Sequence, residues 1–136
     1  MMRRTRVAFA LLLAAQAAHS AEEYVAKLYD VFPPAHFVSS LFSDDLRAGF
    51  VVANVLLIAV GVWCWAIPIG RGWPSAVALS WFWAALEIVN GMVHSILAVA
   101  RVGYFPGVLT APLLIASAAW LSMSLVARTG GRVSAT

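Results

Sequence analysis

His19, Glu22 and Glu23 stand at i, i+3 and i+4, a spacing that gathers one imidazole and two carboxyls on one face of a helix. A second set, Ser80, Trp83, Glu87, Asn90, His94 and Arg101, follows steps of three, four and seven and draws one polar stripe along another helix. Carboxyls and imidazoles withdrawn from water can both exchange protons near neutral pH. In that chemistry Glu22, Glu23 and Glu87 supply acid and base, and His19 and His94 relay protons. Asn54 and Asn90 orient a substrate, with Trp83 as a pocket wall. Isomerisation, cyclisation or hydrolysis of a lipid or another apolar substrate would fit. The same five ionisable residues, His19, Glu22, Glu23, Glu87 and His94, could instead hold a divalent metal such as zinc, or a pair of iron or manganese ions. The di-iron bundles place Glu three residues before His. Here the order is reversed at His19-Glu22 and the gap is seven at Glu87-His94, so that match is poor. Two axial histidines for a haem are disfavoured by the carboxylates beside them.

The elements that must position these groups are apolar. Hydrophobic residues make up 62% of the 136-residue chain and charged residues 11%, whereas soluble domains hold roughly 45–50% and about 25%. A chain this short cannot hide the excess in one core, and the apolar residues come in blocks near the ~20 residues that cross a bilayer. The expectation is one all-α integral-membrane domain, residues 1–136, folded as a four-helix transmembrane bundle. Its spans run over about 7–26, 49–69, 75–102 and 107–127. Between the first two, residues 28–47 form a polar link with aromatic residues that lies along the membrane surface. There Pro33-Pro34 is expected to break any helix, and Asp44-Asp45 to start the next. The tail, Arg128 to Thr136, is expected to be mobile. Thr110, Ser117 and Ser124 recur every seven residues, as close helix packing uses them. His36 is read as interfacial, and Arg101 as reaching headgroups or a loop carboxylate.

Net charge is +3, but the nine basic residues mostly flank apolar blocks, which is a topology signal and not a nucleic-acid face. Arg3, Arg4, Arg6, Arg71, Arg128 and Arg132 fall on one side, which puts both termini in the cytoplasm of a bacterial-type inner membrane. Cys64 is the only cysteine, so no intrachain disulfide can form. An ionisable group near the bilayer centre costs at least ~2.5–3.5 kcal/mol unless paired or hydrated. Glu87 and His94 must therefore face protein or a wet cavity. Counting about 1.5 Å per residue from inner ends near Val7 and Ala76, His19 lies ~18 Å deep, Glu22 ~22 Å, Glu87 ~16 Å, Asn90 ~21 Å and His94 ~27 Å. Asn54, counted down from the outer side, falls at ~22 Å. The expectation is one cluster in the outer half of the membrane.

His19-Ser20-Ala21-Glu22-Glu23 reads H-x-x-E-E, followed in order by Asn90-x-x-x-His94 and Gly103-Tyr104-Phe105-Pro106-Gly107, with Thr110 just after. The chain resembles the family of small membrane proteins named for its HXXEE motif. The resemblance implies an architecture and site positions at His19, Glu22, Glu23, Asn90 and His94, and no reaction. Three functional readings stay open. One is an enzyme acting on membrane lipids. The second is a structural or assembly protein whose polar cluster only fixes packing. The third is a proton-coupled carrier or channel, which at this size requires a homo-oligomer.

The first block, with its basic start and the small residues Ala18, Ser20 and Ala21, also fits a cleavable signal peptide. Cleavage there would discard His19 and split the motif, so the intact helix is expected. Intact mass spectrometry of protein taken from membranes should give 14.6 kDa. A loss of about twenty residues would mean the signal peptide of the alternative reading and would remove the site.

Overall fold

The computed structural model describes residues 2–133, and among them the chain forms six α-helices and no strand. Four are long: α1 (Met2–Val25), α4 (Leu46–Cys64), α5 (Ala76–Ala100) and α6 (Ala111–Val133). Two short ones, α2 (Leu28–Val31) and α3 (Pro33–Ser40), fill the link expected to be non-helical. Pro33 and Pro34 do not break a helix there but start one. At N1 and N2 the missing N–H groups would have no intrahelical partner anyway, and proline's fixed φ suits the first turn. Asp45 starts α4 as expected, its carboxylate accepting from the N–H groups of Arg47 and Ala48.

Past Cys64 the second long helix continues as a π-helical turn, Trp65–Ile69. Pro68 sits inside it, and a wider turn accommodates a residue that cannot donate to the ladder. At the other end, α6 continues through Val133 rather than stopping near Ala127, and residues 134–136 of the expected tail lie outside the described part.

Helix α1 is the hub. It packs against α4 on one side and α6 on the other, and α5 packs on α6, while α4 and α5 leave a gap that the Trp83 side chain bridges beside Gly61. Two apolar clusters form. The larger joins Phe9, Leu12, Trp83, Leu114 and Leu121; the smaller, near the other end, joins Leu28, Tyr29, Phe50 and Phe105. Gly61 lets α4 approach this core, since a Cβ there would meet Leu13 at 2.4 Å and the Trp83 ring at 3.1 Å.

Among the described residues, Leu46–Ile69 and Ala76–Ala100 are long and apolar enough to cross a membrane, and 111–127 forms a shorter apolar helix. Helix α1 is diluted by Gln16, His19, Ser20 and Glu23, all of them buried in the bundle. Its polar face therefore points at protein, and that face is where the site forms.

Candidate functional site

Helix α5 ends in a Schellman turn, with Gly103 N–H donating to Ala98 O and Val102 N–H to Val99 O. The left-handed position falls on Val102 at φ 51°, where a side chain with a Cβ costs roughly 1–2 kcal/mol. The following residues lead into α6 and would leave a row of backbone donors without partners. Glu22 of α1 satisfies them. Its Oε1 accepts from the Tyr104 hydroxyl at 2.9 Å and from the N–H groups of Gly107 and Leu109, both at 3.1 Å. Its Oε2 accepts from Thr110 N–H at 2.8 Å and the Thr110 hydroxyl at 2.6 Å. A carboxylate at this helix start is also favoured by the helix dipole. The Tyr104 hydroxyl, partly withdrawn from water and donating to this anion, is held above the usual phenol pKa.

The clamp brings the turn down onto two imidazoles. Pro106 O contacts His94 Nδ1, and a carbonyl can only accept, so that nitrogen carries the proton. Thr110 gives its one hydroxyl proton to Glu22, so at 2.8 Å it accepts from His19 Nδ1. Both rings thus carry hydrogen on Nδ1 and turn Nε2 inward. Both inward nitrogens face the same oxygen, Glu23 Oε1, at 3.3 Å from His19 and 3.0 Å from His94. The rings stand edge to face, with centroids 4.7 Å apart. Gly107 roofs the pair at φ 92°, and a Cβ there would fall 2.6 Å from His94 Nδ1 and 2.7 Å from His19 Cε1. Phe105 and Phe32 close the outer side against His94.

The structure therefore joins His19, Glu23 and His94 and sets Glu22 beside them, facing the turn. Glu87 and Asn90 lie further along α5, linked loosely to each other at 3.5 Å. Glu87 is buried, and its Oε1 has no hydrogen-bond partner among the described residues. Asn54 ties α4 to α1, accepting from the Ser20 hydroxyl at 2.7 Å, which itself accepts from Gln16 at 3.0 Å. Trp83 is buried against Phe9. His36 is exposed on α3, and Arg101 lies over the Phe105 ring.

The gap between α4 and α5 forms a cleft beside this cluster. One part, of about 380 Å³, is lined by Glu87, Asn90 and His94 together with Phe32, Leu57 and Val93. An adjoining part, of about 450 Å³, shares Leu57 and Leu86 with it and adds Asn54, Trp83 and Phe42. His94 belongs both to the cluster and to the cleft wall.

Thr110, Ser20, Pro106 and Gly107 complete the site without having been singled out for it. Thr110 carries a packing role in the seven-residue hydroxyl repeat, and a hydroxyl that relays between Glu22 and His19 has no spacing signature of its own. The Gly-Tyr-Phe-Pro-Gly turn is the one signal that could have found the other loop residues.

Residues 10–121 match the model of a family described as a protein of unknown function with HXXEE motif. No curated protein and no solved structure matches the chain.

Replacing Glu22 by Ala removes five hydrogen bonds and strands the donors that lead into α6. Unfolding titrations in mixed micelles should show a loss of about 3 kcal/mol or more, against about 1 kcal/mol for Tyr104→Phe, which removes one of them. Equal small losses would show that the carboxylate does not hold the turn.

Proposed function

Because the chain belongs to the HXXEE family, whose members are described by their motif and not by a reaction, the site's geometry must supply the reading, and we propose a multi-pass membrane enzyme. Its His19–Glu23–His94 cluster is the acid/base centre, and its substrate is a lipid or another apolar molecule admitted between α4 and α5. The observation that carries this reading is the buried Glu23 carboxylate set between two inward-facing Nε2 atoms, one of them on the wall of an apolar cleft.

The four long helices form the transmembrane bundle, with both termini on the cytoplasmic side. Helix α3, whose Phe37, Leu41 and Phe42 neighbourhood is exposed and apolar, rests at the outer interface. A substrate with a hydrocarbon tail then reaches the cleft sideways from the bilayer, past Leu57, Leu86 and Val93. Glu23 takes or gives a proton at the reacting carbon or leaving oxygen, and His19 and His94, whose Nε2 lone pairs face it, accept and return that proton. Glu87, in the same cleft and lacking a partner on Oε1, is the second proton-holding group. Asn90 and Asn54 orient the polar end of the substrate, and Trp83 forms the cleft's inner wall.

A purely packing role accounts for Glu22, Ser20 and Asn54, each of which links one helix to another. It leaves Glu87 Oε1 buried without a hydrogen-bond partner and His19 Nε2 set against an acceptor oxygen of Glu23, which is costly for a structural device. Transport would need the stripe to face another subunit. Ser80, Trp83, Glu87 and His94 are instead buried within a single chain.

Cells producing the wild-type protein, Glu23→Gln or Glu87→Gln at matched abundance and matched thermal stability should differ in extractable lipids. At least one apolar species should be consumed or formed by the wild type, with turnover reduced by about 10²–10⁴-fold in Glu23→Gln. Indistinguishable lipid profiles in the wild type and both variants would contradict the enzymatic reading.

A further inference from the structure

The hydrogen-bond arithmetic of the cluster leaves a problem that ordinary packing does not solve. With hydrogen placed on Nδ1 of both rings, the two Nε2 lone pairs and Glu23 Oε1 face one another: three acceptors with no donor among them. His19 is fully buried, and its Nε2 faces Glu23 Oε1 at 3.3 Å, an acceptor against an acceptor when the ring's proton is on Nδ1. A proton on His94 Nε2 would satisfy Glu23 but leave the His19 lone pair against the same oxygen. Protons on both rings would set two cations side by side, with ring centroids 4.7 Å apart. One cation at the centre satisfies all three atoms at once.

We propose that His19 Nε2, Glu23 and His94 Nε2 bind a single divalent transition-metal ion of the zinc class. In taking this cluster as the reactive centre, the proposal rests on the preceding reading and adds a cofactor to it, with Glu23 then held as a ligand and Glu87 left as the proton-holding group of the cleft. Three independent features support the ion.

The first is spacing. For metal–ligand bonds of ~2.0–2.1 Å in a tetrahedral site, ligand atoms lie about 3.3 Å apart. The two Nε2 to Oε1 distances are 3.3 Å and 3.0 Å, and the three candidate ligand atoms lie within 4.8 Å of one another.

The second is what stands behind the ligands. Histidines that bind metal through Nε2 characteristically donate Nδ1–H to a carbonyl or carboxylate, which fixes the tautomer and strengthens the ligand. His94 donates to the Pro106 carbonyl, and His19 donates to Thr110, which passes the bond on to the Glu22 carboxylate.

The third is ligand class and number. Two imidazoles and one carboxylate suit zinc, and three protein ligands leave a fourth position for water or substrate, as catalytic zinc sites do. His94 connects the site to the cleft from which such a molecule would come. Hard ions that prefer all-oxygen shells, such as magnesium and calcium, do not fit this donor set.

The test uses the full-length chain, purified in detergent with a tag that contains no histidine, stripped with a chelator and titrated with Co²⁺ alone. One equivalent should bind with the intense visible absorption of tetrahedral cobalt, Zn²⁺ should displace it, and Ca²⁺ should not. Bound Zn²⁺ should also raise the thermal midpoint of unfolding. His19→Ala and His94→Ala should abolish the cobalt spectrum. Thr110→Val keeps every ligand and removes the partner behind His19 together with that hydroxyl's bond to Glu22, while Thr110 N–H still donates to Glu22, so it should weaken Co²⁺ binding by about 10–100-fold. His36→Ala, on the exposed side of α3, should bind as the wild type does.

Wild-type protein that takes up neither Co²⁺ nor Zn²⁺ overturns the ion, and so does unchanged binding in both histidine variants. The two readings fail separately. Lipid turnover lost in Glu23→Gln, with no metal bound by the wild type, removes the ion and leaves proton chemistry. Metal bound at one equivalent, with lipid profiles identical to Glu23→Gln, supports the ion and removes the enzyme.

Discussion

A single carboxylate sets the geometry of this protein. The N–H groups that lead into a helix have no partners within it, and in α6 they are satisfied by Glu22 of α1, eighty-odd positions away in the chain. Everything around the cluster follows from that contact. It pulls Pro106 onto one imidazole and Thr110 onto the other, and it brings Gly107 so close to both rings that a Cβ would not fit. It also holds a turn that carries its own strain, with Val102 in the left-handed region where glycine would be at ease.

The spacing of the H-x-x-E-E motif has a direct physical meaning in this frame. Consecutive helical residues point about 100° apart, so Glu22 and Glu23 cannot serve one partner. Glu22 turns to the α5–α6 connection and Glu23 turns to His94. His19, three residues before one and four before the other, sits above both. Its Nδ1 reaches Glu22 through Thr110, while its Nε2 reaches Glu23 directly. One carboxylate positions the ring and the other shares its chemistry. Aspartate could not replace either without drawing the oxygen back by a methylene, which loosens contacts now at 2.6–3.3 Å.

Much of this was legible in the sequence. Ser80, Trp83, Glu87 and His94 of the α5 stripe face inward as their spacing implies, while Asn90 is half-buried and Arg101 exposed, and Asp45 opens α4. The meeting of His19 and His94 was legible only in part. Counting from Val7 separates them by ~9 Å in depth, yet both contact one oxygen. Helix α1 begins at Met2, beyond the arginines taken as its flank. Counted from there His19 lies ~26 Å along its helix, close to the ~27 Å of His94. By the same measure Glu87 falls about two turns inward, which is why it lines the cleft without joining the trio. The open α4–α5 face and the helix begun by Pro33-Pro34 could not be read, because both depend on how separate segments pack and not on any local pattern.

The two imidazoles are held with hydrogen on Nδ1, so that both Nε2 atoms turn to Glu23. Nitrogen-15 NMR of the protein labelled at histidine, with Glu22→Gln as comparison, tests it most directly. His19 and His94 should each carry a proton on Nδ1 in the wild type, and the His19 signal should shift when Glu22 no longer anchors Thr110. A wild-type spectrum in which either ring is protonated on Nε2 alone would contradict it.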